Sequence, residues 1–397
     1  MKLGDKLEAL RKSSAMTQEQ AASLLNIPRE LLSMWESGKR IPSSVQCASL
    51  ARLYGVSQGY LLGIEDLKDE EDLGVLYRGK PEAQSGIRQW LEFLDRWAAF
   101  RERILGTDCQ SGPRKPPKAI DEGYTVDIRR ASKLALGVRA YYNLGEDALP
   151  DLWAFMDEQG ILVYKAPLGG LDDGGISGAF LNHPRLGWCI LVNTSVTPGR
   201  QVFTLAHELA HAIYHYGQRR LISRAETQDP EERSRERFAN AWAAHFLVPG
   251  SALRQQLKRV CEDPSGITEY ETFQLALFFR VSYSTLVYRL LGEGHIDDRH
   301  KDRLLVPSVE DIAARLGLPP DDYIIPGKPQ VWDLERYPVS VLQLVRDAIE
   351  DGKYSVNQAA RLLEVDSNTI QDELLGPLSP DQERRNWIEF DELPPLR

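Results

Sequence analysis

With 397 residues, 42% of them hydrophobic and 27% charged, the chain has room for two or three domains and the composition of an ordinary soluble globular protein. No run of 18 apolar residues occurs, which excludes a helical membrane span, and the Met1-Lys2-Leu3-Gly4-Asp5 start does not read as a signal peptide. The four cysteines (Cys47, Cys109, Cys189, Cys261) lie far apart without a C-x-x-C pair, which argues against a disulfide framework or thiolate metal site and for a reducing cytoplasm.

The formal charge of −10 speaks against nucleic acid until it is divided along the chain. Residues 1–65 carry eight Lys/Arg and six Asp/Glu, a net +2, which leaves −12 for the rest. This head reads as five short helices. Leu3, Leu7 and Leu10 form a stripe, and Thr17 is placed to cap the next helix, through Ala21, Ala22, Leu24 and Leu25. Pro28 opens a third helix that runs past Leu32 and Trp35 to a stop at Gly38. Two more are expected, after Pro42 and Val56. Thr17-Gln18, Ala21, Leu25-Asn26-Ile27, Trp35 through Pro42, and Tyr60-Leu61-Leu62-Gly63 resemble the XRE/Cro class of helix-turn-helix proteins. The resemblance implies a double-stranded DNA operator as partner of residues 1–65. On that reading Arg29, Glu30 and Ser33 face base edges, while Gln18, Lys39 and Arg40 grip phosphates. A bundle for dimerisation or partner binding is the competing reading, favoured by Leu31 beside the reading face and by the small net charge.

Residues 66–124 are expected to be a helical linker: a charge run over 65–72, an amphipathic helix over 86–105 and a Pro-rich connector over 112–118 with Arg114, Lys115 and Lys118. From 125 to 250 helix and strand alternate. Helices are expected at 128–136, 138–142 and 149–160, and strands at 161–164, 176–181 and 188–193, with a glycine-rich loop over 169–175. The strand through Gly178 to Leu181 is expected at the sheet edge, where an extended peptide could add itself.

The segment Phe203-Thr204-Leu205-Ala206-His207-Glu208-Leu209-Ala210-His211 follows. On a helix His207 and His211 share one face and can converge on one metal, and Glu208 can act as general base toward its water. Thr204 fits the start of such a helix. A third ligand is needed. His215 is eight residues beyond His207, roughly 12 Å of rise, too far to share the ion, and reads as a supporting group. The glycine that a metzincin uses for its third histidine is absent, since Ala212, Ile213 and Tyr214 stand there. Glu236 remains, on a helix whose Ala239 and Ala243 permit close packing, with Asn240 placed to orient a ligand histidine. Tyr214, Tyr216 and His245 are candidate oxyanion donors.

Arg200, Phe203-Thr204, Ala206-His207-Glu208-Leu209, His211, His215, Glu236, Ala239-Asn240, Ala243, Leu247 and Pro249 together resemble the ImmA/IrrE metallopeptidase family, with Trp242 where the family has Phe and Phe246 for a Leu. The resemblance implies a zincin-like fold, Zn2+ as cofactor, gluzincin-like metalloendopeptidase activity and a repressor-like protein as substrate. The fold class expected is therefore α+β and multidomain: a five-helix head, a peptidase domain with a small sheet, a helical region over 251–376 with two helix-turn-helix rhythms lacking a basic face, and a tail over 377–397. No membrane partner is expected, and a homodimer is a candidate assembly. The alternative function is a transcriptional regulator or antitoxin-like repressor whose peptidase fold senses rather than cleaves.

Overall fold

Thr17 and Gln20 exchange hydrogen bonds, the Gln20 N–H donating to the threonine hydroxyl and the Thr17 N–H to the glutamine oxygen, and this reciprocal cap starts the second helix of the chain. The computed structural model describes residues 3–13, 17–25, 27–43, 46–47, 49–50, 53, 81–106, 127–149, 151–171, 175–215, 220–224, 230–261, 266–317 and 334–376. It divides into two units, Met1–Arg88 and Gln89–Arg397. In the first, α1 (Leu3–Ser13), α2 (Gln18–Leu24) and α3 (Arg29–Glu36) bury Leu7, Leu10, Ala21, Ala22, Leu32, Trp35 and Leu50. Gly38 stops α3 with φ +71, a left-handed turn that glycine adopts without strain. Of the expected fourth and fifth helices only residues 46, 47, 49, 50 and 53 are described, all helical.

A buried polar knot holds α1 to α3. Arg11 donates to both oxygens of Glu36 at 2.6 and 2.9 Å, and the Gln18 amide donates to the same carboxylate at 2.8 Å. Removing one partner of a buried ion pair strands the other charge, which costs about 3–5 kcal/mol. Glu36→Ala is therefore expected to collapse amide-exchange protection across the first unit while leaving that of Gln89–Arg397 unchanged.

The second unit begins within α4 (Pro81–Leu105). That helix starts earlier than the sequence pattern suggests. From Gln89 onward it is core rather than connector: Phe93 stacks on Tyr164 at 5.3 Å and meets Tyr337 at a tilt at 4.8 Å, and Phe100 meets Tyr354 edge-on at 4.8 Å. Asp127 caps a short 3-10 turn that leads into one continuous helix, α5 (Ala131–Tyr141), where two pieces are expected, and Asp151 caps α6 (Leu152–Glu158).

Strands β1 (Leu162–Ala166), β2 (Ile176–His183), β3 (Gly187–Asn193) and β4 (Arg220–Arg224) form a mixed sheet in the order β1-β3-β2-β4. β1 runs parallel to β3, whereas β2 is antiparallel to both β3 and β4. This corrects the expectation for Gly178 to Leu181: β2 is internal, and among the described residues the edges are β1 and β4. The sequence pattern missed β4 because Arg220-Leu221-Ile222-Ser223-Arg224 is short and flanked by charge, which is how natural edge strands discourage unwanted pairing.

Across the sheet lies α7 (Pro198–Tyr214), apolar on nearly every side and buried from Val202 to Tyr214 apart from Phe203. Proline at its first position supplies the start. Thr204 is mid-helix and 3% exposed, so it does not cap. α8 (Pro230–Leu247) packs on α7 through fully buried Phe238, Ala239, Trp242 and Ala243. Then follow α9 (Gly250–Val260), α10 (Glu269–Phe278), α11 (Tyr283–Gly292), α12 (Asp298–Leu304), α13 (Val309–Arg315), α14 (Val339–Glu350) and α15 (Val356–Leu362). One apolar core runs from Ala131 to Ala313, so a division at residue 250 would cut through it. The tail over 377–397, the connector over 112–118 and the charge run over 65–72 lie outside the described residues.

Candidate metal centre

One turn of α7 separates His207 from His211, and α8 brings Glu236 across to them. The two Nε2 atoms are 3.0 Å apart, Glu236 Oε2 is 3.0 Å from His207 Nε2, and Glu236 Oε1 is 3.2 Å from His211 Nε2. A tetrahedral ion with bonds of about 2.0–2.2 Å holds its donors about 3.3–3.5 Å apart. The observed distances, two of which run to different oxygens of Glu236, fall within a few tenths of an ångström of that. Two imidazoles and one carboxylate are also a donor set that suits a divalent transition ion, and among the described residues these three form the group able to hold one.

The outer nitrogens are committed as well. His207 Nδ1 lies 3.0 Å from Asn240 Oδ1; an amide oxygen only accepts, so the hydrogen is on Nδ1 and Nε2 is left for the ion. His211 Nδ1 lies 2.8 Å from His215 Nδ1. With His211 presenting Nε2 inward, its Nδ1–H donates to His215. Burial, aided by the neighbouring His211, holds His215 down to about 3, so it stays neutral and can accept. Burial depresses His211 too. At His207 burial works in the same direction, but its hydrogen bond to Glu236 and the charges of Glu236 and Glu208 outweigh it and raise the pKa. Burial pushes Glu236 up, yet its close contacts with the two histidines outweigh that and hold its carboxyl well below the usual carboxylate range. The pocket therefore stabilises an anionic carboxylate facing two nitrogens, the state a cation needs.

Glu208 is fully buried. Its carboxylate lies against β2: a Cβ added at Gly178 would sit 3.0 Å from Glu208 Oε1. Sequence reasoning assigned no role to that neighbour. A glycine at an internal strand position, opposite the helix bearing the acid, was the available signal.

The three oxyanion candidates fare differently. Tyr214 packs edge-on against Phe238 and Trp242 at 5.3 and 6.2 Å in the core, and burial raises its pKa. His245 is nine residues beyond Glu236 on α8, about 13 Å along the axis, with Nδ1 4.0 Å from Glu293. Both are therefore removed from the site. Tyr216 lies outside the described residues.

His245 has a different consequence. Burial, then the charge of Arg289, depresses it to about 4. The unfolded chain binds that proton near pH 6.5, so the stability is complete above that value and is lost as pH falls toward 4. His245→Asn is expected to flatten the loss of thermal stability over this window, by about 3 kcal/mol at its acid end, measured by calorimetry at stepped pH.

In the first unit Arg29 is exposed and ion-paired with Glu19 at 2.8 Å; Glu30, Lys39 and Arg40 are exposed and Ser33 half-buried. Gln18 is half-buried with its amide nitrogen on Glu36, so at most its second N–H is free to meet a phosphate.

Residues 156–291 match the family model of the IrrE N-terminal-like domain, and residues 7–61 match a helix-turn-helix model. The chain joins a helix-turn-helix segment to an IrrE-like domain. The IrrE-like domain thus spans the sheet, α7, α8 and the α10–α11 pair. The radiation response metalloprotease IrrE of Deinococcus radiodurans is 33% identical over 147 residues, 32% of this chain and 42% of that protein. The HTH-type transcriptional regulator ImmR of Bacillus subtilis is 40% identical over 75 residues, 18% of this chain and 59% of that protein. The HTH-type transcriptional activator BcrR of Enterococcus faecalis is 36% identical over 67 residues, 17% of this chain and 33% of its own length. The chain thus matches between a third and three fifths of these relatives' lengths. No helix among the described residues is long and apolar enough to cross a membrane.

Proposed function

We propose that the protein is a DNA-binding regulator whose IrrE-like domain is a zinc metalloendopeptidase that cleaves a transcriptional repressor or similar partner. The observation that carries this reading is the triangle of His207, His211 and Glu236, with Asn240 and His215 fixing the ring tautomers and a buried Glu208 next to His207 on α7. Zinc bound there supplies Lewis acidity. Glu208 takes a proton from the attacking solvent molecule and returns it to the leaving amine. An extended substrate segment adds to the outer edge of β4 by main-chain hydrogen bonds, the register in which Ser223 lies opposite Gly178. The helix-turn-helix segment contacts an operator through Arg29, Glu30 and Ser33 at the bases and Lys39 and Arg40 at phosphates, with Gln18 lending its second N–H, and two copies on a symmetric operator form the working dimer. A protease placed at an operator meets the regulator bound there.

A capture experiment tests this. The Glu208→Gln protein is expected to retain a regulator uncleaved that the native chain cuts. The near-complete burial of Glu208 and His211 favours one competing reading, a regulator or antitoxin-like repressor whose IrrE-like domain senses a ligand or metal. That reading wins if Glu208→Gln leaves the transcriptional switch intact while Arg29→Ala abolishes it.

A further inference from the structure

We infer that Gly178 is a positioning residue for Glu208: β2 passes so close to α7 that a side chain there would crowd the carboxylate along with Thr204 and the β3 backbone. The role of Glu208 as general base rests on the peptidase reading; the contact itself does not. A Cβ at Gly178 would lie 2.7 Å from Thr204 Cγ2, 2.8 Å from Leu191 O and 3.0 Å from Glu208 Oε1. These distances are shorter than carbon normally tolerates, and one of the three atoms is the backbone of β3, which cannot give way.

Left-handed backbone does not explain the glycine, since Gly178 is absent from the positive-φ positions among the described residues. A glycine inside a strand costs about 0.5–1 kcal/mol relative to alanine, and here it sits at an internal position of the sheet. Thr204 and Glu208 are one helical turn apart on α7, so both side chains descend on the same spot of β2. The β2–β4 pairing is irregular between Ile176 and Gly178, and such breaks re-aim strands beside active sites. Gly199 is as tightly enclosed, but by the backbone at Val281 and Ser282. At Gly178 the neighbours are the Thr204 methyl, the Leu191 carbonyl and the Glu208 carboxylate oxygen together. A general base works only when held within about 0.5 Å of its productive position, and the floor of that seat is the bare backbone of β2.

Double-substitution cycles test the inference. Gly178→Ala is expected to lower kcat roughly tenfold, with KM within about twofold and zinc content unchanged, because the carboxylate must shift by a few tenths of an ångström and a displacement of about 1 Å costs up to 10²-fold. In a Glu208→Asp background, where the carboxylate is one methylene further from the new Cβ, the same change is expected to cost less than about threefold. In metal-free protein, Gly178→Ala is expected to lower Tm by several degrees less in a Glu208→Ala background than in the native one. If Gly178→Ala alone does not fold, Thr204→Ser is added to every arm to remove the methyl nearest the new Cβ. Independent losses in both kcat and Tm overturn the inference and leave the peptidase reading standing. A native chain with no proteolytic activity and an unaltered Glu208→Gln phenotype overturns the peptidase reading, and the Tm cycle then decides the contact by itself.

Discussion

Glu208→Gln and Glu236→Ala are expected to separate chemistry from metal retention. Glutamine keeps the size of Glu208 but cannot take a proton, and general-base catalysis is worth about 10²–10⁴ in rate; kcat should therefore fall about 10³-fold while roughly one zinc per chain remains bound. Glu236→Ala removes one corner of a triangle whose sides are 3.0 to 3.2 Å, and it also removes the anion that holds His207 and His211 inward. That variant should lose the ion as well as the activity, as read by metal analysis of dialysed protein. Equal zinc content in the two variants would dismiss Glu236 as a ligand.

Arg139→Met is expected to produce the largest loss of stability in the second unit. The side chain is 1% exposed and donates to the carbonyls of Gly145 at 2.8 Å, Phe246 at 2.6 Å and Asp147. Burial brings its pKa down to about 10, still well above neutrality, so it remains a cation at the C-terminal end of α8, where the last carbonyls lack helical partners. Arg289 does the same for Val248 O at 2.9 and 3.1 Å. Methionine fills the volume and strands the carbonyls, a change worth about 3–5 kcal/mol and about 10 °C in Tm for a unit of this size. Calorimetry checks it. A loss below 1 kcal/mol would mean that solvent reaches those carbonyls.

The residues of the candidate metal centre could be picked out because chemistry imposes local spacing. His207 and His211 must be four apart to share a helix face, and the alanines after Glu236 announce a helix that can approach closely; the structure brings all three within 3.2 Å of one another. The helices around Thr17, Leu32 and Gly38 were legible for the same reason, since caps and stops act over three or four residues. Thr204 misled because its hydroxyl suits a helix start, whereas Pro198 opens the helix several residues earlier and the threonine methyl faces Gly178. His245 misled because a histidine near a metal motif in sequence can sit two turns away along an axis.

By itself the sequence determined the donor types, their spacing, the helix-turn-helix head and the helical character of most of the chain, all of which are set by contacts among near neighbours. Only the tertiary structure decided that β4 and not β2 lies at a sheet edge, that the core continues to Ala313, that α4 from Gln89 onward is core, and that the bare backbone of Gly178 is what Glu208 rests on. Strand order and close approach depend on residues tens of positions apart that pack or exchange main-chain hydrogen bonds, and main-chain hydrogen bonds are the same for every residue except proline.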